Sequence, residues 1–165
     1  MGLLALLLRL AGDDAGLVNL DRSGMQSLSR TDCLRLLASV RVGRVGFHSG
    51  ALPVILPVVF ALDDHGVVVR VRAGSQLDQG TRAAVVAFEA DEAYGSDRIA
   101  WSVSVTGVAN DILDPADLEH ARGLALDDGP QAGSERFVRI TLDLISGRRE
   151  CLAGAATAPA ARTTA

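Results

Sequence analysis

Leu52-Pro53-Val54-Ile55-Leu56-Pro57-Val58-Val59-Phe60-Ala61-Leu62 runs without a charge, and Asp63-Asp64-His65-Gly66 and Val67-Val68-Val69-Arg70-Val71-Arg72 follow it directly. An unbroken apolar run of this length predicts a strand buried on both faces. Pro53 and Pro57 have no amide proton, so parts of the strand must lack a neighbour on one side. The acidic turn ending in glycine predicts a hairpin. In the next strand Val67, Val69 and Val71 alternate with Val68, Arg70 and Arg72, so the two sets face opposite ways. Two strands joined by a tight turn make the local architecture antiparallel.

The flanking sequence extends that pattern. Upstream, Ser29 and Asp32 have capping-box spacing, and Leu34, Leu37 and Ala38 recur at helical spacing, which predicts a helix ending near Ser39. Val40 to Phe47 reads as a strand whose Gly43 and Gly46 mark a bulge or a close approach. Downstream, Gly74-Ser75-Gln76-Leu77 is a turn into a short helix or loop. Ala84 to Ala90 is a strand, and Ala93 to Arg98 a polar loop. Ile99 to Asn110 is a strand with Trp101, Val103 and Val105 on one face and Ser102, Ser104 and Thr106 on the other. Asp114 and Pro115 start a helix that runs to about Leu126. Arg136 to Ile145 is the last strand, with Val138, Ile140, Leu142 and Leu144 inward. The expected fold is mainly β, a six-stranded antiparallel barrel with two or three peripheral helices.

The chain has 165 residues, which bounds it to one domain. Residues 1–26 read as an N-terminal extension, 27–150 as the barrel, and 151–165, rich in Ala, Thr and Pro, as a disordered tail. Leu3 to Leu10 is apolar but has no preceding basic residue and is interrupted by Arg9, so it reads as an appended helix or an upstream extension rather than a signal peptide. A transmembrane span would need about 20 apolar residues.

Composition excludes several functions. The net charge is −4 and the pI about 5.3, against the basic stripe of a duplex-binding protein. All 16 basic residues are arginine, which removes lysine Schiff-base chemistry and leaves guanidinium as the side chain for gripping a phosphate. Cys33 and Cys151 are far apart, fitting a reducing, cytoplasmic compartment, with Cys33 a small buried hydrophobe. His48, His65 and His120 share no metal-ligand spacing. The nucleotide fingerprints G-x-G-x-x-G and G-x-x-x-x-G-K, and the hydrolase elbow G-x-S-x-G, do not occur.

Three groupings could carry chemistry. Arg70 and Arg72 stand about 7 Å apart on one strand face, before a Gly74-Ser75-Gln76 turn that could offer amides and a hydroxyl to a phosphate. The same residues could equally be a solvated strand face. Pro57, Val58 and Val59 lie where missing ladder donors leave backbone open to a flat ligand or a partner, or turn a barrel corner. Trp101 and Ser102 could border a heteroaromatic ring, or Trp101 could be core.

In this order the segments resemble the pyridoxamine 5′-phosphate oxidase-like proteins of the split-barrel FMN-binding superfamily. The resemblance runs from Leu28-Ser29-Arg30-Thr31-Asp32-Cys33-Leu34 and Val42-Gly43-Arg44-Val45-Gly46-Phe47 to Ile145-Ser146-Gly147-Arg148-Arg149. Between these lie the Pro-Val-aromatic strand, Arg70 to Leu77, Ala87-Phe88-Glu89 and Trp101-Ser102-Val103. It implies a homodimer that binds FMN at the subunit interface and acts as an oxidoreductase on a small-molecule substrate; charge and the apolar run lengths lead to no expectation of a nucleic-acid or membrane partner. Arg70, Arg72, Ser75 and Gln76 would hold the phosphate, Pro57 to Val59 would line the isoalloxazine, and Trp101 with Ser102 would border it. The chain departs from the family at Gln76, where Lys is usual, and at Val71, where Thr is usual; Arg72 could replace the lost charge. Two alternatives share the fold: a reductase using the related deazaflavin coenzyme, and a sensor that holds flavin or haem without turnover. The family's C-terminal substrate-binding region is not recognisable, so the resemblance implies flavin chemistry rather than pyridoxamine phosphate oxidation itself.

Overall fold

A computed structural model describes residues 25–94, 98–126 and 134–150. The N-terminal extension and the C-terminal tail expected from the sequence lie almost wholly outside these residues. Among these residues eight strands and three helices follow one another as β1 (Met25–Ser27), α1 (Arg30–Leu37), β2 (Val42–Ser49), β3 (Leu52–Leu62), β4 (Gly66–Arg72), α2 (Gln76–Gly80), β5 (Ala84–Tyr94), β6 (Arg98–Asp111), α3 (Pro115–Gly123), β7 (Glu135–Thr141) and β8 (Leu144–Glu150).

Six strands close an antiparallel barrel in the order β6-β5-β2-β3-β4-β7, with β7 returning to β6. β8 adds to β6 outside the ring, and β1 adds to β8. β3 pairs with β2 from Leu52 to Val59, but with β4 only from Phe60 to Leu62. Pro53 and Pro57 therefore fall where the strand has one neighbour, as their missing donors require. The outer side of this stretch is not buried: Ile55 is 69% exposed. The reading of two buried faces is thus corrected for the single chain.

The interior holds Val45, Phe47, Phe60, Val69, Val86, Phe88, Val103, Val105, Val138 and Ile140. Phe60 and Phe88 meet edge to face at 4.8 Å, an arrangement worth about 0.5–1.5 kcal/mol beyond burial. The Phe88 ring lies over Gly43, where a Cβ would sit 2.4 Å from it, so Gly43 is the close approach; Gly46 has only ordinary neighbours. Outside the ring, Val68 packs with Ile112, Ala121 and Leu126 beneath α3.

Sequence and structure part company at the last strand. The single strand expected from Arg136 to Ile145 is two, broken at Leu142 and Asp143. β6 pairs with β7 at Ala109–Asp111 and with β8 along Trp101–Thr106, so the chain must bend to pass from one stretch to the other. Thr141 lies over Gly107 at this crossing, where a Cβ would meet the Thr141 carbonyl at 1.8 Å. After the bend the alternation inverts, and Leu144 is 69% exposed instead of inward. Two boundaries also move. β5 runs on to Tyr94 through a register shift at Glu92 and Ala93, and α3 stops at Gly123 rather than near Leu126. The capping residues stand as read: Ser29 accepts from the Asp32 amide, and Asp114 from the amides of Ala116 and Asp117.

Candidate functional site

The outward face of β4 changes character within five residues. Val68 is sealed under α3. Arg70 keeps 10% of its side chain exposed, and its Nη1 lies 3.7 Å from Glu135 Oε2 on β7. Arg72 is exposed, and its guanidinium meets no carboxylate among the described residues. Here the strand opens on a cavity of about 350 Å³. Val42 of β2, Pro57, Val58 and Val59 of β3, Arg70 and Arg72 of β4, and Ser75 and Leu77 at the start of α2 line it. The cavity exists because β3 has no second neighbour at Pro57 to Val59, so no strand covers that edge.

Six residues singled out from the sequence thus meet in one place: Pro57, Val58, Val59, Arg70, Arg72 and Ser75. Gln76 is exposed at the first position of α2 and does not line the cavity. The turn differs from expectation in what it can offer. Three of its amides are used internally: Ala73 N donates to the Ser134 carbonyl at 3.0 Å and Ser75 N to the Arg72 carbonyl at 3.1 Å. Gly74 N donates to Asp78 Oδ2 at 2.9 Å. The amides of Ala73, Gly74 and Ser75 are thus committed within the protein and not open to an anion. The side-chain donors facing an anion would be the guanidiniums and Ser75, whose Oγ accepts from Asp78 N at 3.1 Å and keeps its proton to give. Gly74 has a φ of +78°, a left-handed conformation that favours glycine.

Asp78 escaped the sequence reading, although Ser75 and Asp78 repeat the capping-box spacing of Ser29 and Asp32. Only 2% of its side chain is exposed, and Arg82 and Arg136 both reach it. The hydrogen bond from Arg82, then that from the Gly74 amide, hold its carboxyl below the ordinary carboxylate range despite its burial.

Trp101 and Ser102 lie elsewhere in the chain. Trp101 is 6% exposed within the barrel core, on the face it shares with Val103 and Val105, and its Nε1 donates to Glu92 Oε2 at 3.0 Å. Ser102 lines a separate cavity of about 300 Å³ with Glu89, Ser104, Ser146 and Arg148, and Arg148 Nε donates to its Oγ at 3.4 Å. Within one chain, neither residue borders the Arg70–Arg72 cavity.

Residues 29–149 match the model of the family Pyridoxamine 5′-phosphate oxidase. The chain belongs to that family. Among its relatives is Rv0080 of Mycobacterium tuberculosis, 35% identical over 127 residues that make up 74% of this chain and 83% of the relative. Two solved structures resemble this member of the pyridoxamine 5′-phosphate oxidase family along most of its length. The FAD binding protein of Mycobacterium smegmatis is 33% identical with a TM-score of 0.64, covering 75% of this chain and 96% of its own. An FAD-binding protein of Mesorhizobium loti is 25% identical with a TM-score of 0.64, covering 77% and 99%.

Proposed function

We propose that this protein binds a flavin nucleotide in the Arg70–Arg72 cavity and uses it in redox chemistry on a small-molecule substrate. One observation carries the reading: two guanidiniums and a hydroxyl stand at one side of a cavity whose other walls are apolar. That pairing suits a ligand with an anionic end and a flat, weakly polar body. Arg70 and Arg72 would hold the phosphate, with the Ser75 hydroxyl donating to it. Val42, Pro57, Val58 and Val59 would form the wall for the ring system. Bound flavin supplies hydride and one-electron chemistry. The lining residues include no Asp, Glu or His, so this chain's part is binding, orientation and charge.

FMN is the first candidate, since the cavity concentrates its cations for one phosphate. The two FAD-binding relatives favour FAD as the second reading. We further propose that the protein works as a homodimer. Ile55, Val85 and Val42 project from the outer faces of β3, β5 and β2 and are 59–69% exposed, an apolar surface that a second copy would cover. Val42 also lines the cavity, so the site would open onto that interface. An absorption spectrum of the purified protein, with and without FMN or FAD, tests the cofactor. The expected result is a saturable change in the flavin bands at one flavin per chain; a spectrum that is the plain sum of protein and free flavin would overturn the reading.

A further inference from the structure

The turn that brings Ser75 to the cavity is held from behind by a residue that does not line it. Asp78 Oδ2 accepts from Gly74 N at 2.9 Å and from Arg82 Nη2 at 2.8 Å. Its Oδ1 accepts from Arg136 Nη1 at 2.5 Å, and its own amide donates to Ser75 Oγ. Arg136 stands opposite Val71 in the β4–β7 register, and its Nη2 lies 2.7 Å from Asp111 Oδ1. One buried carboxylate therefore connects the turn, α2 and β7.

Two consequences follow for an anion in the cavity. The Gly74 amide is aimed inward at Asp78, which keeps the turn at its left-handed φ and holds Ser75 and the Arg72 carbonyl in register. Arg82 and Arg136 are also occupied, so the guanidiniums facing the cavity are Arg70 and Arg72. Preorganised donors bind more tightly because the ligand does not have to order them. We propose that Asp78 is the positioning residue of the phosphate site, acting through the Gly74–Ser75 turn without touching the ligand. The proposal rests on the flavin reading above and adds to it the element that shapes the site.

The test compares FMN with riboflavin, which lacks the phosphate, by fluorescence titration of the full chain. In the parent protein FMN should bind more tightly by about tenfold or more. Asp78→Asn keeps the shape and removes the charge; it should lower that preference by about fivefold or more while riboflavin affinity stays within about twofold of the parent's. Gly74→Pro, which deletes the amide proton and forbids the positive φ, should do the same with Asp78 intact. Arg82→Ala, at the exposed end of the network, should leave the preference within about twofold. If Asp78→Asn weakens both ligands alike, Asp78 is only a stability element and the proposal fails. If Asp78→Asn, or Gly74→Pro where the former does not fold, retains the full preference, the proposal fails while the flavin reading stands. If the parent itself does not distinguish the two ligands, the phosphate assignment falls and this proposal with it.

Discussion

Glu135 stands opposite Arg72 in the β4–β7 register, yet its carboxylate lies 3.7 Å from Arg70. The diagonal choice leaves the two cavity arginines unequal. Arg70 is largely buried and partly neutralised, and Arg72 is exposed with its charge available. A phosphate entering the cavity would compete with Glu135 for Arg70 and meet Arg72 unopposed.

Single substitutions should expose that inequality. Charge-assisted hydrogen bonds contribute about 1.5–3 kcal/mol each, so Arg70→Ala and Arg72→Ala should each weaken FMN by about tenfold or more and leave riboflavin nearly unchanged. Glu135→Gln should tighten FMN several-fold by removing the carboxylate that competes for Arg70. Titration of these variants checks the set; an unchanged FMN affinity in both arginine variants, with the barrel folded, would place the phosphate elsewhere.

At Gln76 the chain departs from the Lys usual in the family it resembles. Gln76 is exposed beside Ser75 but does not line the cavity. An ammonium there would act across solvent, where such pairs are worth about 0.2–1 kcal/mol. Gln76→Lys should therefore raise FMN affinity by no more than about fivefold, read in the same titration.

The hairpin of β3 and β4, both helix caps and the arginine face were legible because each rests on neighbouring residues. Alternation placed Arg70 and Arg72 together, and Pro53 and Pro57 announced the open edge that became the cavity wall. The break at Leu142 and Asp143 was not legible. It is imposed by β6, whose two stretches must be served by different strands, and that geometry is absent from the local pattern of Arg136 to Ile145. Asp78 was hidden for a related reason: its partner Arg136 is 58 residues away. Trp101 sat on the same face as Val103 and Val105 from the start, and that alternation already pointed it into the core.

The dimer proposal has its own consequence. Ile55 is 69% exposed at the outer face of β3, between Pro53 and Pro57. Ile55→Asp should leave the isolated barrel intact but place a charge in the apolar interface, shifting sedimentation from dimer to monomer at micromolar protein. A parent protein that sediments as a monomer at that concentration would contradict the assembly.

Acid should loosen the network around Asp78. Its native carboxyl titrates below the value near 4 expected for the unfolded chain, first because of Arg82 and then because of the Gly74 amide. Its contribution is present in full above the unfolded value and is lost as pH falls through the native one. Urea midpoints between about pH 6 and about pH 3 should therefore decline more gently for Asp78→Asn than for the parent. Parallel declines would remove Asp78 from the acid response.

The central claim is that a flavin phosphate sits between Arg70 and Arg72. The direct measurement is a titration of the parent and of the Arg70→Ala, Arg72→Ala double variant with FMN and with riboflavin, with folding checked by circular dichroism. The parent should bind FMN at one site per chain and more tightly than riboflavin, and the double variant should bind the two equally. A double variant that folds and still prefers FMN as strongly as the parent would contradict it.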